Sequence, residues 1–257
     1  MLAIFANGVT LTDGDNLSAL ETFAGKTCTV AYSRSFTAGM SSTVCLPFAF
    51  AKGSVGTFYT FTNIHKDGSE FIAEMTEYTG DNLTANTPYL FTPSTTGSVD
   101  FGGTYAIPAE MTAGEATSTD GNWTFVGTFA TISWTEAPTG IYGFSAQAVE
   151  EQGISQGQFV KVGAYVRIRP MRCYLKYDDG ARTMTRGTEG DEQLPETIKV
   201  HLINANGKVT AIGSLQTKTG EVTFDSDAWY TLDGVQLSGK PTRKGIYVNN
   251  GKKVIIK

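Results

Sequence analysis

The chain has 257 residues, 40% hydrophobic, 11% aromatic and only 18% charged, a composition that buries enough apolar surface to fold rather than stay disordered. Its formal net charge of -5 argues against a Lys/Arg-dense face for phosphate, and so against nucleic acid and anionic membrane surfaces as partners. No stretch approaches the roughly 20 consecutive apolar residues that span a bilayer as a helix, so no transmembrane segment is expected.

The start, Met1 to Ala6, lacks the basic and long apolar regions of a signal peptide and reads as a mature segment or excised fragment. A turn or two of helix is expected near Leu17 to Phe23, with Asn16 as its cap, and a second near Ala146 to Gln152. Almost everything else shows the period-two alternation of half-buried strands. Thr27 to Thr37 and Ser42 to Phe50 are expected to pair with each other across the Ala38-Gly39 break. Val55 to Ile64 leads through His65-Lys66-Asp67-Gly68 into Glu70 to Tyr78, a hairpin signal. Thr87 to Phe91, Ser98 to Ile107, Asn122 to Trp134, Gly140 to Ala146, Gln158 to Val162 and Ala164 to Tyr177 follow, nearly all bounded by Gly, Pro, Asn or Asp. Short strands spaced by turns predict an all-β fold, an antiparallel β-sandwich of jelly-roll-like or Greek-key type.

Residues 178–196 are ionic, rich in Gly and Thr and poor in large apolar side chains, so they read as a polar linker. The expected organisation is a sandwich over 1–177, that linker, and a small C-terminal β unit over 197–257. The last unit opens with an Asn206-Gly207 hairpin and ends in three short strands within Trp229 to Lys257, too small to be stable alone.

That ending carries Tyr230, Leu232, Gly234 and Leu237, then Lys244-Gly245-Ile246-Tyr247, then Asn250-Gly251-Lys252-Lys253 and an apolar-basic finish. It resembles the C-terminal tails of secreted Bacteroidetes-type proteins, including type IX secretion sorting domains. The resemblance implies export to the cell surface or medium and no particular chemistry. The body is similar to a module of such proteins through Tyr32-Ser33-Arg34-Ser35-Phe36, Cys45-Leu46-Pro47-Phe48, Pro88-Tyr89-Leu90 and Arg172-Cys173-Tyr174-Leu175. Proteins with that module are often called adhesin-like, which implies a surface binding role.

Catalytic constellations are weak. Gly143-Phe144-Ser145-Ala146-Gln147 lacks the last glycine of a nucleophile elbow and lies in a strand. Glu70 and Glu74 alternate with Phe71, Ala73 and Met75, which makes them the solvent face of a strand rather than a glycosidase pair. His65 and His201 lie far from each other, and Cys28, Cys45 and Cys173 show no metal-ligand spacing. The cysteines read as buried thiols, with one disulfide among them left open. The loop Asp13-Gly14-Asp15-Asn16 departs from calcium-loop spacing and reads as a turn. No catalytic residue, metal or cofactor is therefore expected.

Aromatic residues give the one lead, since sugars and proteins both dock on exposed rings. Trp134, Tyr142 and Trp229 are the candidate ligand-binding residues, whereas Trp123 aligns with Phe125 on an apolar face and is expected in the core. The leading expectation is a non-catalytic, monomeric, exported interaction module whose partner is a surface protein or glycan. The alternative is a carbohydrate-binding module of a larger extracellular protein.

Overall fold

The computed structural model describes residues 8–149, 154–178, 194–211, 214–216, 221–223, 229–231, 236–237, 241–249 and 252–256. The chain is all-β and antiparallel-rich, as the alternation predicts. In the first sheet β1 (Gly8–Leu11) runs parallel to β2 (Thr27–Phe36), and β9 (Gly97–Asp100) and β10 (Gly103–Ala106) pair antiparallel with β2.

The large sheet starts at β11 (Glu115–Thr117), β12 (Trp123–Thr128), β17 (Arg172–Tyr177), β14 (Ile141–Ser145) and β15 (Gln158–Lys161). It continues through β18 (Thr197–Ile203), β6 (Glu70–Glu77), β5 (Gly56–Asp67), β8 (Pro88–Pro93) and β3 (Ser42–Cys45), with β19 (Val209–Ala211) hairpinned onto β18. Two-residue pairs join β4 (Phe50–Ala51) to β7 (Asn82–Leu83) and β13 (Ile132–Ser133) to β16 (Arg167–Ile168). Toward the C-terminus lie the pair β20 (Ser214–Gln216) and β21 (Glu221–Thr223) and, as a separate sheet, β22 (Trp229–Thr231), β23 (Gln236–Leu237), β24 (Gly245–Asn249) and β25 (Lys252–Ile256). Where three strands are expected within Trp229 to Lys257, this sheet has four among the described residues, because β22 and β23 pair antiparallel with Trp229 opposite Leu237.

The large sheet curls until its end strand β3 lies against β17. The Cys173 amide donates to Thr43 Oγ1 at 3.0 Å, and the Cys45 amide donates to the Met171 carbonyl at 3.3 Å. This curl creates two cores. One packs Val30, Tyr32 and Phe36 of the first sheet, and Phe101 between β9 and β10, with Val44, Phe58, Tyr89 and Phe91. The other packs Cys45, Phe61, Met75 and Leu90 with Trp123, Phe125, Phe159, Cys173 and Leu175. Strands β3 and β8 stand between them and are buried on both faces, so even the hydroxyl residues Ser42 and Thr43 of β3 are enclosed.

Pairing of Thr27 to Thr37 with Ser42 to Phe50 does not occur. The chain turns at Gly39 (φ 71°) and carries β3 into the next layer, so Phe36 and Val44 pack within one core instead of hydrogen bonding in one sheet. The hairpin β5–β6 forms as expected, with Asp67 opposite Glu70 around Gly68 (φ 59°). A bulge between Phe61 and Asn63 shifts the phase of β5, placing Ile64 in the same core as Phe61.

Thr197–Ile203, expected to open a separate unit, is instead an interior strand of the large sheet. It pairs antiparallel with β15 and parallel with β6, setting Ile198, Val200 and Leu202 opposite Phe71, Ala73 and Met75. A domain boundary at 178–196 therefore does not hold for 197–203, because these side chains complete the second core. Within that expected linker, 179–193 lie outside the described residues. Its flanks are anchored, since Asp178 N donates to Asn122 O at 2.8 Å and Tyr142 OH donates to Pro195 O at 2.6 Å.

The helix near Leu17 is a single turn, α1 (Ser18–Glu21). Its N-cap position is Leu17, without a side-chain cap bond, and not the expected Asn16, which lies one residue earlier and whose Oδ1 accepts from the Ser18 amide at 3.2 Å; Leu17 and Leu20 seal the first core. Among its described residues, Ala146 to Gln152 is not helical: Val149 bridges to Ile154 in extended geometry.

Candidate functional site

Alternation along β2 places Cys28, Val30, Tyr32, Arg34 and Phe36 on one inward face, so a guanidinium enters a row of apolar side chains. Arg34 reaches the next layer, where Nη1 donates to the Thr43 carbonyl at 2.8 Å and Nη2 donates to Ser42 Oγ. Its guanidinium carbon lies 4.6 Å from the centre of the Phe36 ring. Arg172 enters from β17 and its Nη2 grips both oxygens of Asp13, at 2.7 and 2.8 Å. Tyr32 OH donates to Asp13 Oδ1 at 3.0 Å.

The electrostatics follow from this geometry. Burial pushes the Asp13 carboxyl up, but the hydrogen bond and charge of Arg172, helped by Arg34 and Tyr32, outweigh burial and hold it below its ordinary value. Burial and then the Arg172 charge push Arg34 down to about 10. Burial and the Asp13 charge push Tyr32 up to about 12. One carboxylate thus faces two guanidiniums but hydrogen bonds Arg172 and not Arg34, and the group keeps one net positive charge. The turn expected at Asp13 to Asn16 exists, with Asp15 N donating to Thr12 O at 3.1 Å, yet its first carboxylate is a structural counter-ion.

Beneath this group lie Cys45 and Cys173. All three cysteines are free and buried. Burial pushes Cys45 up to about 12 and holds Cys173 well above its ordinary value, so neither is a ready nucleophile. Gly127 is required here because a Cβ would meet Cys45 Sγ at 2.6 Å. The four body motifs, distant in sequence, therefore converge: Arg34 and Arg172 meet around Asp13, while Cys173 Sγ approaches the Val44 carbonyl at 3.5 Å and the Tyr89 carbonyl at 3.9 Å.

The predicted aromatic candidates separate. Tyr142 is 0% exposed, packs 5.5 Å from the Trp123 ring and is pushed up to about 12 by burial and then the Glu196 charge. It is a core residue and not a surface platform, because its strand β14 lies inside the large sheet. The side chain of Trp229 lies outside the described residues. Trp134 is half-buried, with its ring edge-on to Tyr174 at 6.5 Å. Its carbonyl accepts from Tyr165 N at 2.8 Å and its amide donates to Val166 O at 3.2 Å. This bracing holds Tyr165 at φ 61° with the residue 87% exposed, beside Val166 at 40%. Tyr165 has no sequence signal beyond its place in a Gly-Ala-Tyr step.

On β6 the alternation holds in part: Glu70 is exposed, Glu74 on the same face is half-buried, and Ile72 between them is buried. Glu70 bonds Lys199 at 2.8 Å, Glu74 lies 3.3 Å from His65 Nδ1 and stands opposite His201, and Glu77 accepts from Ala205 N at 2.9 Å. Among the described residues, no group of three or more His, Cys, Asp or Glu is placed to hold a metal ion, and no helix is long and apolar enough to cross a membrane. In comparisons with known proteins, no family model matches the chain, and neither a curated protein nor a solved structure matches it.

Proposed function

We propose that the chain is a non-catalytic interaction module of an exported, adhesin-like surface protein, and that Trp134, Tyr165 and Val166 form the edge that meets its protein partner. The observation that carries this reading is Tyr165. A non-glycine residue at positive φ costs roughly 1 kcal/mol, and here that conformation presents a large ring to solvent instead of to a core. Rigid, exposed Tyr and Trp side chains are typical binding anchors because they offer much contact area for little lost freedom. The likeness of the tail to secretion sorting domains supports the extracellular setting.

A carbohydrate-binding role is the second reading, favoured by the backbone bond from Tyr165 N to Trp134 O, which brings two aromatic residues to one edge. Pull-down from intact cell surfaces and glycan-array screening separate the readings. Binding to a surface protein, lost in Tyr165→Ser and Trp134→Ala while both variants keep the wild-type unfolding midpoint, is the expected result. Retention in both variants removes this edge from the proposal. A hydrolytic activity abolished by one carboxylate substitution overturns the non-catalytic reading.

A further inference from the structure

A cavity of about 300 Å³ opens beside the arginine group, lined by Arg34, Ser35, Thr37, Met40, Ser42 and Gln147 among others. Its size reaches the lower range of small-ligand pockets. Arg34 is held over Phe36 by Ser42 and Thr43, so the guanidinium is fixed before any ligand arrives. Those two bonds use two of its five N–H donors, and both acceptors are neutral oxygens. The only carboxylate that contacts the group among the described residues, Asp13, is held by Arg172 and Tyr32. A partly buried positive charge without its own counter-ion favours an anion at close range.

We propose that this cavity binds a hydroxylated monocarboxylate of the uronic-acid class, with the carboxylate on Arg34 and the hydroxyls among Thr37, Ser42 and Gln147. A monoanion neutralises the group, whereas a dianion such as hydrogen phosphate overshoots it and leaves a net negative charge. The cavity is far larger than an acetate ion needs, and its hydroxyl and amide lining suits a polyhydroxy body. A bound carboxylate also relieves the unfavourable environment that pushes Arg34 down to about 10. The site shares no residue with the Tyr165 edge, so the two readings fail separately.

Titration of the whole chain with sodium glucuronate, glucose, acetate and inorganic phosphate, followed by backbone amide shifts, tests the inference. Glucuronate is expected to shift Arg34, Ser35, Thr37 and Ser42 saturably, glucose not at all, and acetate and phosphate more weakly. Arg34→Lys keeps the charge but loses the forked donors, and weakens glucuronate at least about tenfold. Gln147 is exposed, so Gln147→Trp blocks the cavity without entering the core and abolishes the shifts. Absence of glucuronate shifts at these residues, equal affinity for glucose or phosphate, or unchanged binding in Gln147→Trp overturns the proposal.

Discussion

Removing β18 is the most direct test of how the chain is organised. Ending the chain at Glu196 deletes Ile198, Val200 and Leu202, which are 0%, 3% and 8% exposed. At about 2 kcal/mol per buried aliphatic side chain, the loss is about 6 kcal/mol. It also uncovers Phe159, Ala73 and Met75 and opens the edges of β15 and β6, whose backbone groups lose their partners. Since a folded domain holds only about 5–15 kcal/mol in total, residues 1–196 are expected to unfold or aggregate. Residues 1–211, which keep β18 and its hairpin to β19, are expected to fold. Urea titration followed by Trp fluorescence reads this directly, because Trp123 is buried among Tyr142, Tyr177 and Phe71 in the affected core. Equal urea midpoints for 1–196 and 1–211 would refute the assignment of β18 to the body.

Asp13→Asn removes the ion pair with the partly buried Arg172 and is expected to cost about 2 kcal/mol near neutral pH, read by chemical denaturation. Because the folded Asp13 carboxyl lies below its ordinary value, its stabilisation is complete above about pH 4 and is lost as pH falls through the lowered folded value. Acid unfolding of Asp13→Asn should therefore be shallower than that of the wild type, and parallel curves refute the linkage. The cysteines should resist a thiol reagent at pH 8 in the native chain and react fully in denaturant, since burial raises all three. Fast native reaction of Cys45 or Cys173 contradicts the closed core.

Much of the fold is written in short stretches of sequence. Gly68 and the Asn206-Gly207 step place their hairpins because positive φ and turn hydrogen bonds are local properties. Gly207 has φ 72°, and Asn204 Oδ1 accepts from the amides of Asn206 and Lys208. Alternation likewise puts Trp123 with Phe125 in the core and Glu70 with Glu74 on one face of β6. Arg34 carried a readable signal as the one charge on the inward face of β2, although nothing local names its neighbours.

Those neighbours are decided by the tertiary structure. Asp13 and Arg172 are 159 residues apart, and only the curl of the large sheet brings β17 to the loop after β1. The same curl buries Tyr142, draws β18 between β15 and β6, and sends β3 away from β2. Period-two patterning fixes which side of a strand is apolar, but any apolar side fits many partners. Closing a longer loop adds little entropy cost, so strand order follows from which set of faces fills both cores at once. The sequence alone therefore determines the all-β class, the turns and the inward faces, while the arginine group, its cavity and the Tyr165 edge exist only because non-neighbouring strands are packed together.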